Sequence, residues 1–210
     1  MQKLGKQTVK FDTPITILET ASIVGPKEAE GPLANFFDIC LEDEFWGEST
    51  WEKAESKIIR ETVNTLIAKS NLSSTELEYC FAGDLLNQCI SSSFGLRELN
   101  IPFFGVFGAC STFVESISLG SVFLEGGAAK NLLCCTSSHF CSAEKQFRFP
   151  LELGNQRPQS SQWTVTGAGS AILAKSGHGP YITHITTGKI VDMGIKDVNN
   201  MGAAMAPART

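Results

Sequence analysis

A chain of 210 residues, 42% hydrophobic and 19% charged, is long enough to bury a real core and carries no bias toward disorder or a collagen-like repeat. Its formal net charge of −5, with no run of Lys and Arg, argues against a protein that binds nucleic acid by neutralising phosphates. No apolar stretch approaches the roughly 20 residues of a membrane helix, and residues 1–6 lead into no apolar signal segment, so any membrane association is expected to be peripheral.

The first 50 residues read as irregular. Gly25-Pro26 and Gly31-Pro32 mark turns, and Phe36, Phe37, Phe45 and Trp46 anchor a long loop. Ser49 and Glu52 have capping-box spacing, and Trp51, Ala54, Ile58, Ile59, Val63, Leu66 and Ile67 then recur on one helical face. A second box, Ser73 with Glu76, opens a short turn. Next comes a repeat of apolar strand and helix. A strand over 79–82 ends at Gly83-Asp84, and a helix covers 91–99. A strand over 103–107 ends at Gly108-Ala109-Cys110, and a helix from about 111 to 125 is stopped by Gly126-Gly127. A third strand, 131–136, runs into Ser137-Ser138-His139. This alternation predicts an α/β fold with a parallel sheet covered on both faces.

The pattern then changes. Residues 149–162 form a polar loop. Strands over 164–174 and 181–191, joined by a Gly- and Pro-containing turn, read as a hairpin that makes the sheet mixed by adding antiparallel strands at its edge. Thr166-Gly167-Ala168-Gly169-Ser170 lies inside a strand pattern and reads as close packing rather than a phosphate loop. Residues 201–208 look like the start of a helix that is cut off. The seven cysteines, Cys40, Cys80, Cys89, Cys110, Cys134, Cys135 and Cys141, are odd in number and scattered. They fit neither a disulfide framework nor the CxxC spacing of a zinc site, so thiols in a reducing compartment and no metal site are expected. Cys134 and Cys135, adjacent on a strand, should face opposite sides of the sheet.

Ligands of open parallel sheets bind beyond the carboxyl ends of the strands, and here those ends carry Asp84, Cys110 and His139. Cys110 sits in a strand-to-helix turn of small residues, the geometry of a nucleophile elbow, where a helix N-terminus favours negative charge on a thiolate or a ligand. Asp84 reads equally as a helix N-cap or as a ligand residue, with Asn87 beside it. His139 is a ligand donor, a general base or a surface histidine, and His178 and His184 read as structural. Lys145, Arg148 and Arg157 are the nearest basic residues, able to hold a carboxylate. No base and supporting group can be assigned to Cys110, so no catalytic set is defined.

Gly108-Ala109-Cys110-Ser111-Thr112, followed by a buried helix, resembles the nucleophile turn of thiolases and ketoacyl synthases. Together with Gly25-Pro26-Lys27-Glu28, Ala82-Gly83-Asp84-Leu85-Leu86-Asn87-Gln88, Thr136-Ser137-Ser138-His139, the stretch from Glu144 to Pro150 and the stretch from Met201 to Ala208, it makes the chain resemble the stage V sporulation protein AD family of spore-forming Firmicutes. That resemblance implies a thiolase-like layered fold, α/β/α/β/α when complete, with residues 1–210 its N-terminal half and the second half absent, as in a truncated chain. It implies non-catalytic binding of dipicolinic acid (pyridine-2,6-dicarboxylate), with calcium as a candidate companion and no other cofactor. The role implied is uptake of that acid into the developing spore beside membrane proteins of the same sporulation operon. A homodimer when complete, in the cytoplasm against the inner forespore membrane, goes with it. The ligand-binding candidates are Asp84, Asn87, Cys110, Ser111, His139 and Arg148. A ketoacyl-synthase-like acyltransferase using Cys110 as nucleophile is the alternative, and a purely structural subunit is a third reading.

Overall fold

Residues 1–147, 163–197 and 202–203 are described by the computed structural model. In chain order they form β1 (Gln2–Leu4), β2 (Thr8–Val24), the one-turn α1 (Pro26–Ala29), β3 (Ile39–Cys40) and the long α2 (Trp51–Ser70). There follow β4 (Cys80–Gly83), α3 (Ile90–Leu96), β5 (Phe103–Gly105), α4 (Thr112–Glu125), β6 (Asn131–Ser138), α5 (Phe140–Phe147), β7 (Gly167–Ala174) and β8 (Tyr181–Thr186). Among the described residues the strands make one mixed sheet in the order β1-β2-β7-β6-β4-β5, with β3 and β8 also paired to β2. The three strands β6, β4 and β5 are parallel, as predicted.

Strand periodicity divides the core in two. Cys80, Ala82, Leu133 and Cys135 face one side of the sheet and pack with Ile58, Ile59, Val63 and Leu66 of α2. Phe81, Leu132 and Cys134 face the other side and pack with Leu124 of α4. Cys134 and Cys135 thus do lie on opposite faces, and burial holds both thiols well above the ordinary range. Helices cover both faces, as the apolar strands require.

The α2 helix follows its predicted stripe, with one change at its start. Thr50 is the N-cap, its Oγ1 accepting from the Lys53 amide at 3.3 Å. Glu52 pairs instead with Lys145 Nζ at 2.9 Å. Asn71, left-handed at φ 58°, ends the helix. Thr50→Ala is expected to cost about 1 kcal/mol, seen as a lower urea midpoint at unchanged slope. The second capping box, Ser73 with Glu76, forms as predicted. The glycine stop of α4 also forms, with Gly127 at φ 78° and the Ala128 amide bonded to the Phe123 carbonyl at 3.0 Å.

Two expectations are corrected. Residues 1–24 are not irregular, because they hold β1 and the 17-residue β2. The buried residues Phe11, Ile15, Thr16, Ala21 and Ile23 lack a steady period of two. The cause is local: register with β8 shifts between Lys10 and Ile15, around Pro14, and register with β7 shifts between Ile17 and Glu19. The second correction concerns the hairpin. β7 and β8 do not make an edge hairpin; each pairs with β2, and β7 lies inside the sheet, antiparallel to both β2 and β6. Long β2 offers β8 its amino-terminal part and β7 its carboxyl-terminal part, a pairing that local turn signals cannot reveal. The expected loop 149–162 lies outside the described residues, as does most of the expected helix over 201–208.

Candidate functional site

Where β4 and β6 end and β7 begins, the surface opens into a cleft of about 640 Å³, a size typical of small-molecule sites. Gly83, Asp84, Ser137, Gly167, Ala168 and Gly169 line it from the sheet, Cys110 and Thr112 from the head of α4, and Phe37, Phe113, Phe147 and Trp163 supply aromatic surface. Gly83 is demanded by the geometry. A Cβ there would stand 1.8 Å from the Val106 carbonyl oxygen.

The turn carrying Cys110 is built by its neighbours. The Gly108 amide donates to Thr112 Oγ1 at 3.0 Å, and Ala109 takes a left-handed φ of 48°. The Ser111 amide and hydroxyl both donate to the Gly108 carbonyl, at 3.0 and 2.8 Å. The Ser111 side chain therefore does not cap α4, and the Thr112 amide donates to the Ala109 carbonyl, so the helix head carries no side-chain cap. Glu115, in the first turn, is the carboxylate that competes for this positive end. Cys110 itself is exposed at the mouth of the cleft.

The other predicted residues fall in different places. Asp84 lines the cleft but is 2% exposed. Its Oδ1 accepts from the Leu86 amide at 2.8 Å, and its Oδ2 accepts from the Ser92 amide and hydroxyl at 2.8 and 2.6 Å. Its carboxylate is thus committed to holding the loop after β4. Asn87 and Ser111 are exposed and do not line the cleft. His139 is fully buried and is not part of the lining. Its Nε2 lies 2.7 Å from the Glu44 carbonyl oxygen, and its Nδ1 accepts from the Cys141 amide at 3.2 Å. Cys110 and Asp84 thus share an opening that His139 does not enter. Arg148 and Arg157 lie outside the described residues. Lys145 is engaged with Glu52.

Three features escaped the sequence reading. Lys27 sits with its Nζ 4.6 Å from the ring centre of Trp163, a cation held against one of the aromatic residues of the cleft. The aromatic walls come from four separate segments, so no local motif announces them. Glu55, on the buried face of α2, is fully inaccessible. Its Oε1 accepts from Ser137 at 3.0 Å and its Oε2 from Ser142 at 2.7 Å, while the Ser91 hydroxyl stands near without a well-directed bond. Burial outweighs these bonds, and with the Asp84 carboxylate nearby it pushes the Glu55 carboxyl up to about 7. Ser137, on the cleft floor, is thereby tied to a buried acid.

Sheet order and the cysteine turn are those of a thiolase-like fold. The 3-oxoacyl-[acyl-carrier-protein] synthase III of Aquifex aeolicus VF5 superposes with a TM-score of 0.51 at 17% identity, over 78% of this chain and 55% of that one. An OleA variant from Xanthomonas campestris gives 0.52 at 13% identity, over 79% and 57%. These likenesses establish the fold. The family model of Stage V sporulation protein AD (SpoVAD) matches residues 5–210. The Stage V sporulation protein AD of Bacillus subtilis (strain 168) is 41% identical over 208 residues, 99% of this chain. This chain belongs to the stage V sporulation protein AD family. It spans 62% of the length of that relative.

Proposed function

We propose that the cleft binds a small planar dianion, dipicolinic acid, as a non-catalytic step in moving that compound during sporulation. The observation that carries this reading is the pairing of aromatic walls with an uncapped helix head at one opening. A pyridine ring suits Phe113, Phe147 and Trp163, and a carboxylate suits the positive end of the α4 dipole beside Cys110, with Lys27 held against Trp163. Family membership supports the sporulation role. Among the described residues no helix is long and apolar enough to cross a membrane, and peripheral attachment to membrane proteins of the same operon remains part of the proposal. Calcium takes six to eight oxygen ligands. Among the described residues the one carboxylate lining the cleft is Asp84, whose oxygens are both engaged, so no step is assigned to that ion.

The acyltransferase alternative has an exposed Cys110 in its favour. Nucleophilic catalysis also needs an oriented base, and His139 is turned away from the thiol into the Glu44 loop. The two readings separate in one calorimetric experiment with the full-length chain. Cys110→Ala should keep dipicolinate affinity within about threefold, because the helix dipole rather than the thiol holds the anion. Trp163→Ala should weaken it about tenfold, the loss of one stacking contact. No heat from the unmodified chain at millimolar dipicolinate would overturn the proposal. A stable acyl adduct on Cys110 after incubation with acyl-coenzyme A would favour the enzyme.

A further inference from the structure

Away from the cleft, three side chains unused by the functional reading converge. His139 and Cys141 flank the start of α5, and Glu44 comes from the loop ahead of α2. Their donor atoms all lie within 4.8 Å of one another. Glu44 Oε2 is 3.9 Å from both His139 Nε2 and Cys141 Sγ. In a tetrahedral zinc site, bond lengths of about 2.3 Å to sulfur and about 2.0–2.2 Å to nitrogen and oxygen place the donors roughly 3.4–3.6 Å apart. The two spacings from Glu44 are a few tenths of an ångström wider, and the third, between the His139 and Cys141 donors, lies within 4.8 Å, so the ring and the thiol must both turn toward the ion.

We propose that Glu44, His139 and Cys141 form a binding site for a borderline-soft divalent transition-metal ion of the zinc type, with water completing the coordination. The donor set decides the class of ion, since imidazole, thiolate and carboxylate together suit zinc or cobalt, whereas calcium requires oxygen throughout. The burial gradient fits as well. His139 is a fully buried anchor, while Glu44 is 37% exposed and gives the ion a route from solvent. On binding, the thiol proton of Cys141 leaves to solvent. The imidazole proton moves from Nε2 to Nδ1, so the 2.7 Å bond from Nε2 to the Glu44 carbonyl and the 3.2 Å bond from the Cys141 amide to Nδ1 both open as the ring turns. The ion would clasp the loop ahead of α2 to α5, whose last residue, Phe147, lines the cleft. The site does not depend on what the cleft binds.

Cobalt titration of the full-length chain tests this. One equivalent should bind with a sulfur-to-cobalt charge-transfer absorption, which zinc displaces and calcium does not. Cys141→Ser should remove the band, Glu44→Gln should weaken binding by at least about tenfold, and Cys40→Ser, an exposed cysteine elsewhere, should change neither. Far-UV circular dichroism identifies folded samples, and Cys141→Ser is close enough in size to the native residue to keep the test open if Glu44→Gln does not fold. A folded chain that shows no band, or a band that survives Cys141→Ser, overturns the site.

Discussion

Gly83→Ala is expected to destabilise the chain by at least about 4 kcal/mol, the range of exceptional single substitutions. The added methyl carbon would sit 1.8 Å from the Val106 carbonyl oxygen and 2.8 Å from Thr112 Cγ2. Neither neighbour can yield cheaply. Val106 is held by the hydrogen bond its N–H donates to the Ala82 carbonyl at 2.8 Å, and Thr112 Oγ1 accepts from the Gly108 amide. Relief of the clash must part the end of β4 from the segment leading to Cys110, which opens the cleft floor. Gly169→Ala is the matched control, because its Cβ would meet nothing within 4 Å, and a loss below about 1 kcal/mol is expected there. Urea unfolding of the two variants decides. Equal midpoints would show that the approach at Gly83 is not tight.

The second large effect is one of pH. Glu55 has its folded pKa raised to about 7 from 4.5, chiefly by burial. The folded chain therefore holds this proton to higher pH than the unfolded chain does. The favourable contribution is complete below about pH 4.5, declines as pH rises to about 7, and is flat beyond. Its full span is about 3 kcal/mol. Asp38, Glu52 and Glu61 have lowered values and act in the opposite sense, losing their contribution at pH values below this window. Glu55→Gln keeps an acceptor for one serine, and the other hydroxyl can rotate to accept from the amide. Urea midpoints of the native chain should fall between pH 5 and pH 8 while those of Glu55→Gln stay level. Parallel curves for the two proteins would assign the dependence to another group.

The middle of the fold was legible in the sequence because its signals are local. The α2 stripe, the three parallel strands and the stop at Gly126-Gly127 each rest on spacing within one element. Glu55 was legible in principle, since 55, 58, 59, 62, 63 and 66 form a single helical stripe, and a carboxylate within it marks a buried acid. Pairing across the chain was not legible. The bends around Pro14 hid β2, and nothing near residues 167–174 announces that they enter between β2 and β6. For the candidate site, the strand-end rule brought Cys110 and Asp84 to one opening, but the same rule could not tell which face His139 would choose. That choice is made by the Glu44 carbonyl, which comes from the loop at 41–50. The aromatic walls and Lys27 were beyond reach for the same reason.

The position of β7 bears on how the chain is made. Ala168 pairs with Ile23 on one side and with Ser137 on the other, so β7, made after both of its neighbours, joins β2 to β6. Until the ribosome has released it, β2 and β6 each present an unpaired edge, and such edges invite pairing with other nascent chains. Closure of so distant a contact is also slow. Chains halted before residue 167 should accordingly depend on chaperones and aggregate in their absence, whereas chains that reach residue 174 can complete the central register.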